Sequence, residues 1–391
     1  MQFEQAGQTA ERLGVTVRAI QKWANEGRIP GAKKVGREWM IPVGLVKPLD
    51  KVQISDKPRK IRMAMPLLNS SFTPGKCREY IDCIPDEDDR KIALGEYYYF
   101  SGQAELCTKT VEEYLDSEDD SLRYSAALLC SFANLSRGHI HLARFAMDRL
   151  KTDMIKGLRS EASAELHAIG IFTATTAAVL LHSPVPDIPP LEKYLKYLPA
   201  GLKLFACYVL AHKAYLEKNY EGCLAMAEMS IDLCPNQYPI PEIYCRSVMV
   251  MALANLKRMD EAKAQMAELW KLAQPDGLIE VLGEHHGLMQ GMIEIFFKND
   301  YPQEYKKIIE IVYAFSAGWR KIHNPDTNHD VADNLSTMEF TIAMLYSRGW
   351  KAKEIALHMD MSERSINTHI QCIYEKLQVN DKNSLRQFML T

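Results

Sequence analysis

Apolar residues between about positions 77 and 334 recur at three- and four-residue spacing, and glycine is sparse inside the segments they define. The pattern predicts a body made almost wholly of helices. Breaks in it fall near Gly102, Gly138, the SPVPDIPP run at 183–190, Asn219, Met259-Asp260 and Asn299-Asp300, at intervals of about 36 to 45 residues. A period of that size is the mark of stacked helical hairpins. The clearest unit is YVLAHKAYLEKNYEGCLAMAEMSIDL at 208–233. In it, Ala211, Ala225 and Ala227 suit close helix crossings, and Tyr208, Tyr215 and Tyr220 suit the wider gaps.

The two ends carry shorter elements. At the C-terminal end, Leu335-Ser336-Thr337-Met338-Glu339 has the spacing of a capping box, Ser336 capping and Glu339 reaching back. A first helix runs to about Tyr346, with Gly349 as its stop. A second covers Lys353 to Met359, Asp360-Met361 turns, and Ser362 caps a third helix ending near Leu377. Ile366, Ile370, Ile373 and Leu377 form that helix's inward face, and a last short helix covers Lys382 to Leu390. Two short helices joined by a tight turn predict helix-turn-helix geometry.

At the N-terminal end, Thr9 is read as the cap of a helix reaching Leu13, and Thr16 as the cap of Val17–Asn25. Ile20, Trp23 and Ala24 face inward, and Arg18, Gln21 and Lys22 outward. RIPGAKKVGREWMIP at 28–42 reads as two short β segments around a basic turn, with Trp39 and Ile41 folding back. KPLDKVQISDKPRK opens a linker over 47–76, with an extended stretch from Ile61 to Leu68 and a turn cluster, NSSFTPGK. The expected domains are therefore 1–46, 47–76, 77–334 and 335–391. The expected fold is mainly α, with a small β wing at the head.

The string LSTMEFTIAMLYSRGWKAKEIALHMDMSERSINTHIQCIYEKLQVNDKNSL resembles the LuxR-type (GerE/NarL-like) DNA-binding domain. It carries that family's Leu-x-x-x-Glu start, Gly349, Glu354-Ile355-Ala356, Ser362, Ile366, His369, Ile373 and Lys376-Leu377. It departs at Asn367, where the family usually has a base-facing lysine, and at Lys382, where it usually has arginine. The resemblance implies base contacts from Asn367, Thr368 and Gln371. Asn and Gln bond adenine bidentately and a Thr methyl meets the thymine methyl, which favours A·T steps. Lys353, Ser362, Arg364 and Lys376 fall among the implied DNA contacts, the charged ones suited to phosphates. It also implies dimerisation through the last helix, around Leu385, Phe388 and Met389.

The head, with T-A-x-x-L-G-V, G-R-I-P and G-R-x-W-x-I-P, resembles the winged helix-turn-helix of the excisionase/MerR class. That resemblance implies DNA contacts from Arg18, Gln21 and Lys22 on the helix and from Lys33, Lys34 and Arg37 on the wing. Over most of 90–312 the body resembles a degenerate tetratricopeptide (TPR-like) repeat, with a second-helix start at MDEAKAQMAELW.

Charge changes this picture only when the chain is divided. The 391 residues carry a net −3, which taken whole argues against nonspecific coating of a polyanion. Residues 1–62 hold 13 Lys/Arg against 6 Asp/Glu, net +7; residues 335–391 hold 7 against 6, net +1; the middle holds 27 against 38, net −11. A basic head precedes an acidic body.

The nine cysteines form no CxxC pair, which suits reduced thiols and a cytoplasmic setting. The first residues lack a signal pattern, and the longest apolar run, Ile169 to Leu181, is too short to span a bilayer, so no membrane association is expected. Gly75-Lys76 lacks the upstream glycine of a P-loop and precedes Cys77 instead of Ser or Thr. No GxGxxG, GxSxG or HExxH occurs, nor any receiver-domain pattern of acidic residues after strands. His139 and His141, and likewise His285 and His286, diverge around a helix and are poorly placed to share a metal.

The expectation is thus a non-enzymatic transcriptional regulator without cofactor or metal. It would bind double-stranded DNA, sense a small-molecule, peptide or protein effector on its helical repeats, and act as a homodimer. The alternative is a helical-repeat interaction scaffold with one DNA-binding module and one module used for protein contact.

Overall fold

The structure, a computed structural model, describes residues 3–13, 15–25, 29, 32–36, 38–43, 62–157, 164–180, 188–323, 335–377 and 379–389. They divide into two units, one ending at residue 61 and one beginning at residue 62.

The first unit comprises β1 (Phe3–Gln5), α1 (Ala6–Leu13), α2 (Val17–Asn25), β2 (Lys33–Val35) and β3 (Glu38–Pro42). Its sheet has the order β1-β3-β2 with both pairs antiparallel, Phe3 opposite Pro42 and Lys34 opposite Trp39. Ala6, Ala10, Ile20, Trp23, Ala24, Ile29 and Ile41 form its core. Thr16 caps α2, its Oγ1 accepting from the Ala19 amide at 3.3 Å. Thr9 is not a cap. Helix α1 begins three residues earlier, and the fully buried Thr9 hydroxyl donates to Glu4 Oε1 at 3.0 Å. Strand β1 was not anticipated, because three residues are too few for a period to show.

Among its described residues the second unit has helices and no β-strand. In order it contains α3 (Cys77–Asp82), α4 (Glu87–Phe100), α5 (Ala104–Val111), α6 (Asp120–Ser136), α7 (Ile140–Gly157), α8 (Ala164–Leu180), α9 (Ala200–Leu216), α10 (Tyr220–Asp232), α11 (Pro239–Asn255) and α12 (Met259–Ala273). There follow α13 (Glu280–Glu284), α14 (Met292–Phe297), α15 (Pro302–His323), α16 (Thr337–Ser347), α17 (Ala352–His358), α18 (Glu363–Leu377) and α19 (Lys382–Met389). Among the described residues, no helix is long and apolar enough to cross a membrane.

Four helix pairs share one connection. Three residues join α4 to α5, α6 to α7, α9 to α10 and α11 to α12. The middle residue is left-handed each time: Gly102 (φ 79°), Gly138 (68°), Lys218 (64°) and Lys257 (60°). The next amide then returns to a carbonyl five residues back, Gln103 to Tyr98, His139 to Asn134, Asn219 to Ala214 and Arg258 to Leu253. This helix-ending closure satisfies carbonyls that the last turn would leave open. The regularity lapses after α8, where 3₁₀ turns at Leu191–Lys193 and Leu195–Tyr197 replace a second helix, and at the short α13 and α14.

The linker reading of 47–76 needs correction at its described end. Residues 64–69 are turns, not an extended stretch, and Met65, Leu67, Leu68 and Phe72 are buried in the body's core. The amides of Leu67 and Leu68 both donate to the buried Glu96 Oε2, at 2.5 and 3.2 Å. Arg62 lies within 2.7 to 3.3 Å of Asp86, Asp88, Asp89 and Asp119 at the starts of α4 and α6. An arginine fork can serve several carboxylates at once, so this segment is fixed to the body.

Candidate nucleic-acid interface

The C-terminal interface is built on the capping box. The Ser336 amide donates to Glu339 Oε2 at 2.7 Å, and the Glu339 amide to Ser336 Oγ at 3.3 Å. Lys376 Nζ, from the far end of α18, reaches the same Glu339 oxygen at 2.8 Å. Burial pushes the Glu339 carboxyl up, but the bonds from Lys376 and Ser336 outweigh it and hold the group below its usual 4.5. Lys376 therefore clamps α18 to α16. The family resemblance also implies a DNA contact for this residue, whose side chain is 42% exposed.

Left-handed Gly349 ends α16, and Asp360, also at positive φ, makes the turn between α17 and α18. Ser362 caps α18, accepting from the Ser365 amide at 3.0 Å. Ile366, Ile370, Ile373 and Leu377 bury one face of α18 against Ile342, Leu345 and Ile355. Arg364, Asn367, Thr368 and Gln371 are exposed on another face and line a shallow concavity with Glu363 and Glu375. Lys353 is exposed on α17.

Lys382 also works internally. Its ammonium lies 4.2 Å from the Tyr346 ring centroid and 3.4 Å from the Trp350 carbonyl. Leu385, expected at a dimer contact, is fully buried in this module's own core. The side chains of Phe388 and Met389 lie outside the described residues.

In the first unit, Arg18, Gln21 and Lys22 are exposed on α2, and Lys33 and Lys34 on the β2–β3 hairpin. Lys33 Nζ lies 5.5 Å from the Phe3 ring centroid. Arg37 lies outside the described residues.

The seam between the body and α16–α17 has no local signature in the sequence. His286 Nε2 lies 2.7 Å from Glu294 Oε1, both side chains at most 3% exposed. The hydroxyl of Thr341 on α16 donates to the same Glu294 oxygen at 3.3 Å. His358 at the end of α17 meets the Gln290 carbonyl at 2.6 Å through Nε2. At the α11–α12 turn, Arg348 donates to Asn255 at 3.4 Å, and Lys257 lies 3.8 Å from Glu354 and 5.3 Å from the Trp350 ring centroid.

His285 and His286 thus serve different networks. His285 Nε2 faces the Tyr208 hydroxyl at 3.0 Å. Long-range pairing of His286 with α16 through Glu294 leaves no sequence signal.

At each end, two short helices meet at a tight turn, and the second keeps polar and basic side chains outward. That arrangement defines helix-turn-helix DNA-binding modules. Residues 333–389 match the family described as bacterial regulatory proteins, luxR family, and residues 6–46 match the family described as helix-turn-helix domain. Both families are DNA-binding regulatory domains and not enzymes. No curated protein and no solved structure matched the chain.

Proposed function

We propose that this protein is a sequence-specific transcriptional regulator whose helical body controls how the DNA-binding modules are presented. The observation that carries the reading is α18: four apolar residues are buried on one side, and Arg364, Asn367, Thr368 and Gln371 are exposed on another. A helix with an exposed polar face is available to a major groove. On this reading Asn367, Thr368 and Gln371 contact base edges, and Arg364, Ser362 and Lys353 set the register on phosphates. Arg18, Gln21 and Lys22, with wing residues Lys33, Lys34 and Arg37, serve the second module. The active form is a homodimer on paired half-sites, and an effector acts through the body.

Selection from random duplexes, followed by gel shift of the full chain, tests it. Asn367→Ala and Gln371→Ala should each cost about 1–3 kcal/mol on the selected site. Retained affinity in both variants, with melting curves intact, would sink the base-reading role. Glu363 and Glu375 flank the same face and favour a second reading, a module used for protein contact. Failure to select any duplex would put that reading first.

A further inference from the structure

The segment 280–294 has two sides. One holds α16 and α17, as described. The other supplies Glu284 to the lining of an aromatic cavity of about 40 Å³ in the body. Tyr99, Phe100, Phe132, Phe172, Phe205 and Tyr244 surround it, with Glu284 at its edge. Neighbouring rings meet tilted or edge-on, with centroids 5.4 Å apart for Tyr99–Phe100, 6.0 Å for Tyr99–Phe132 and 5.2 Å for Phe205–Tyr244.

The Glu284 side chain is only 7% exposed; His285 Nδ1 lies 3.8 Å from its Oε2, and among the described residues no lysine or arginine pairs with it. The Tyr99 hydroxyl donates to one of its oxygens, and the Tyr244 hydroxyl to the other at 3.1 Å. An ionised carboxylate has about four acceptor positions, so these two bonds do not saturate it.

Once ionised, a buried carboxyl without a lysine or arginine, set among aromatic side chains, is the chemical complement of an ammonium group. We infer that this cavity binds a small organic ammonium ion, its nitrogen on Glu284 and its short apolar chain among the aromatic rings. The inference rests on the regulatory reading above and names the effector's chemical class. The route outward is short. Glu284 ends α13, His285 and His286 follow directly, and His286 pairs with Glu294, which Thr341 of α16 bonds. A ligand that moves α13 therefore acts at the first contact holding the DNA-binding module.

The groups facing Glu284 set the proton balance. Tyr99 comes from α4 and Tyr244 from α11, and α15 presents the apolar Ile311 to Gly283. Within its own segment, burial holds His285 down at about 4, hence neutral. Glu280, raised to about 7 by burial, accepts from Ser136 at 2.8 Å. Burial pushes Glu284 itself up to about 8. An arriving ammonium ion therefore meets a protonated carboxyl at neutral pH. Binding forms the ammonium–carboxylate pair and releases one proton to solvent.

The experiment is a thermal-shift and calorimetric titration of the full chain, without DNA, using ethylammonium chloride as the probe. Potassium chloride at equal ionic strength and ethanol are the controls. Ethylammonium should raise Tm where both controls do not, and its Kd should be on the order of tenfold weaker at pH 6 than at pH 7. Glu284→Gln should abolish the shift. Leu128→Phe, which fills the cavity and leaves the carboxyl in place, should abolish it too.

An equal shift with ethanol, no shift with ethylammonium, or a shift surviving in both variants overturns the inference. A gel shift of the same preparation separates the two readings. Duplex binding without ethylammonium binding leaves the regulator standing and removes its ammonium effector. Ethylammonium binding without any duplex binding keeps the site and removes the regulator.

Discussion

Glu339 carries more of the C-terminal module than any surface charge near it. It closes a helix start, and through Lys376 it ties the two ends of the module together. Glu339→Gln should lower stability by about 1.5–3 kcal/mol at pH 7, as the loss of charge-assisted bonds does. Its folded pKa is depressed, so its contribution is fully present above 4.5 and is lost as pH falls through the folded value. Urea melts at pH 7 and pH 3.5 should show wild type and variant converging in acid. Lys376→Met should weaken the fold in the same melts and leave the salt dependence of duplex binding unchanged. A reduced salt slope would return Lys376 to the phosphate contacts.

The elements most legible in the sequence are those whose signals are local. The capping box, the Gly349 stop and the four-three-four spacing of Ile366, Ile370, Ile373 and Leu377 each act within a few residues, and the structure places α16, α17 and α18 accordingly. The hairpin connections were half visible. Gly102 and Gly138 announce a left-handed turn, whereas Lys218 and Lys257 adopt the same conformation with no glycine to mark it.

A lysine held left-handed is strained. Lys218→Gly should therefore stabilise the body by up to about 1 kcal/mol in guanidinium melts, less what the freer unfolded chain takes back. Lys257→Gly gains the same relief but loses its contacts to Glu354 and Trp350. Its melt should move less, and amide exchange in α17 should quicken.

At the scale of the whole chain, what the sequence concealed is the seam. His286, Gln290, Glu294, Thr341 and His358 come from three distant stretches, and only folding brings them together. Their polar atoms are incompletely matched: among the described residues, His286 Nδ1, Gln290 Oε1 and Glu294 Oε2 are buried with no protein hydrogen-bond partner. A seam of this kind is less costly to part than a well-satisfied one.

Gly291, at φ 80°, sits within this seam. A Cβ there would come within 3.2 Å of Thr341, 3.3 Å of His358 and 3.3 Å of Met359. Gly291→Val should loosen α16 and α17 while the body's core stays protected, as read by hydrogen exchange. Uniform protection in both would mean that the seam tolerates the change.

Charge also belongs to this scale. The net −3 is an average over a +7 head, a −11 body and a +1 tail, so salt-dependent attraction to DNA should come from the head. Lys33→Glu with Lys34→Glu should lower the salt slope of binding by about 2 or more. An unchanged slope would exclude the wing.

Arg364, Asn367, Thr368 and Gln371 of α18 are not among the residues that join the body to α16 and α17. Under the proposed function, target choice and control are then separable traits. Substitutions at Asn367, Thr368 or Gln371 can redirect the protein to other promoters while its response is inherited intact, and drift around Glu284 can change the signal while the target list stays the same.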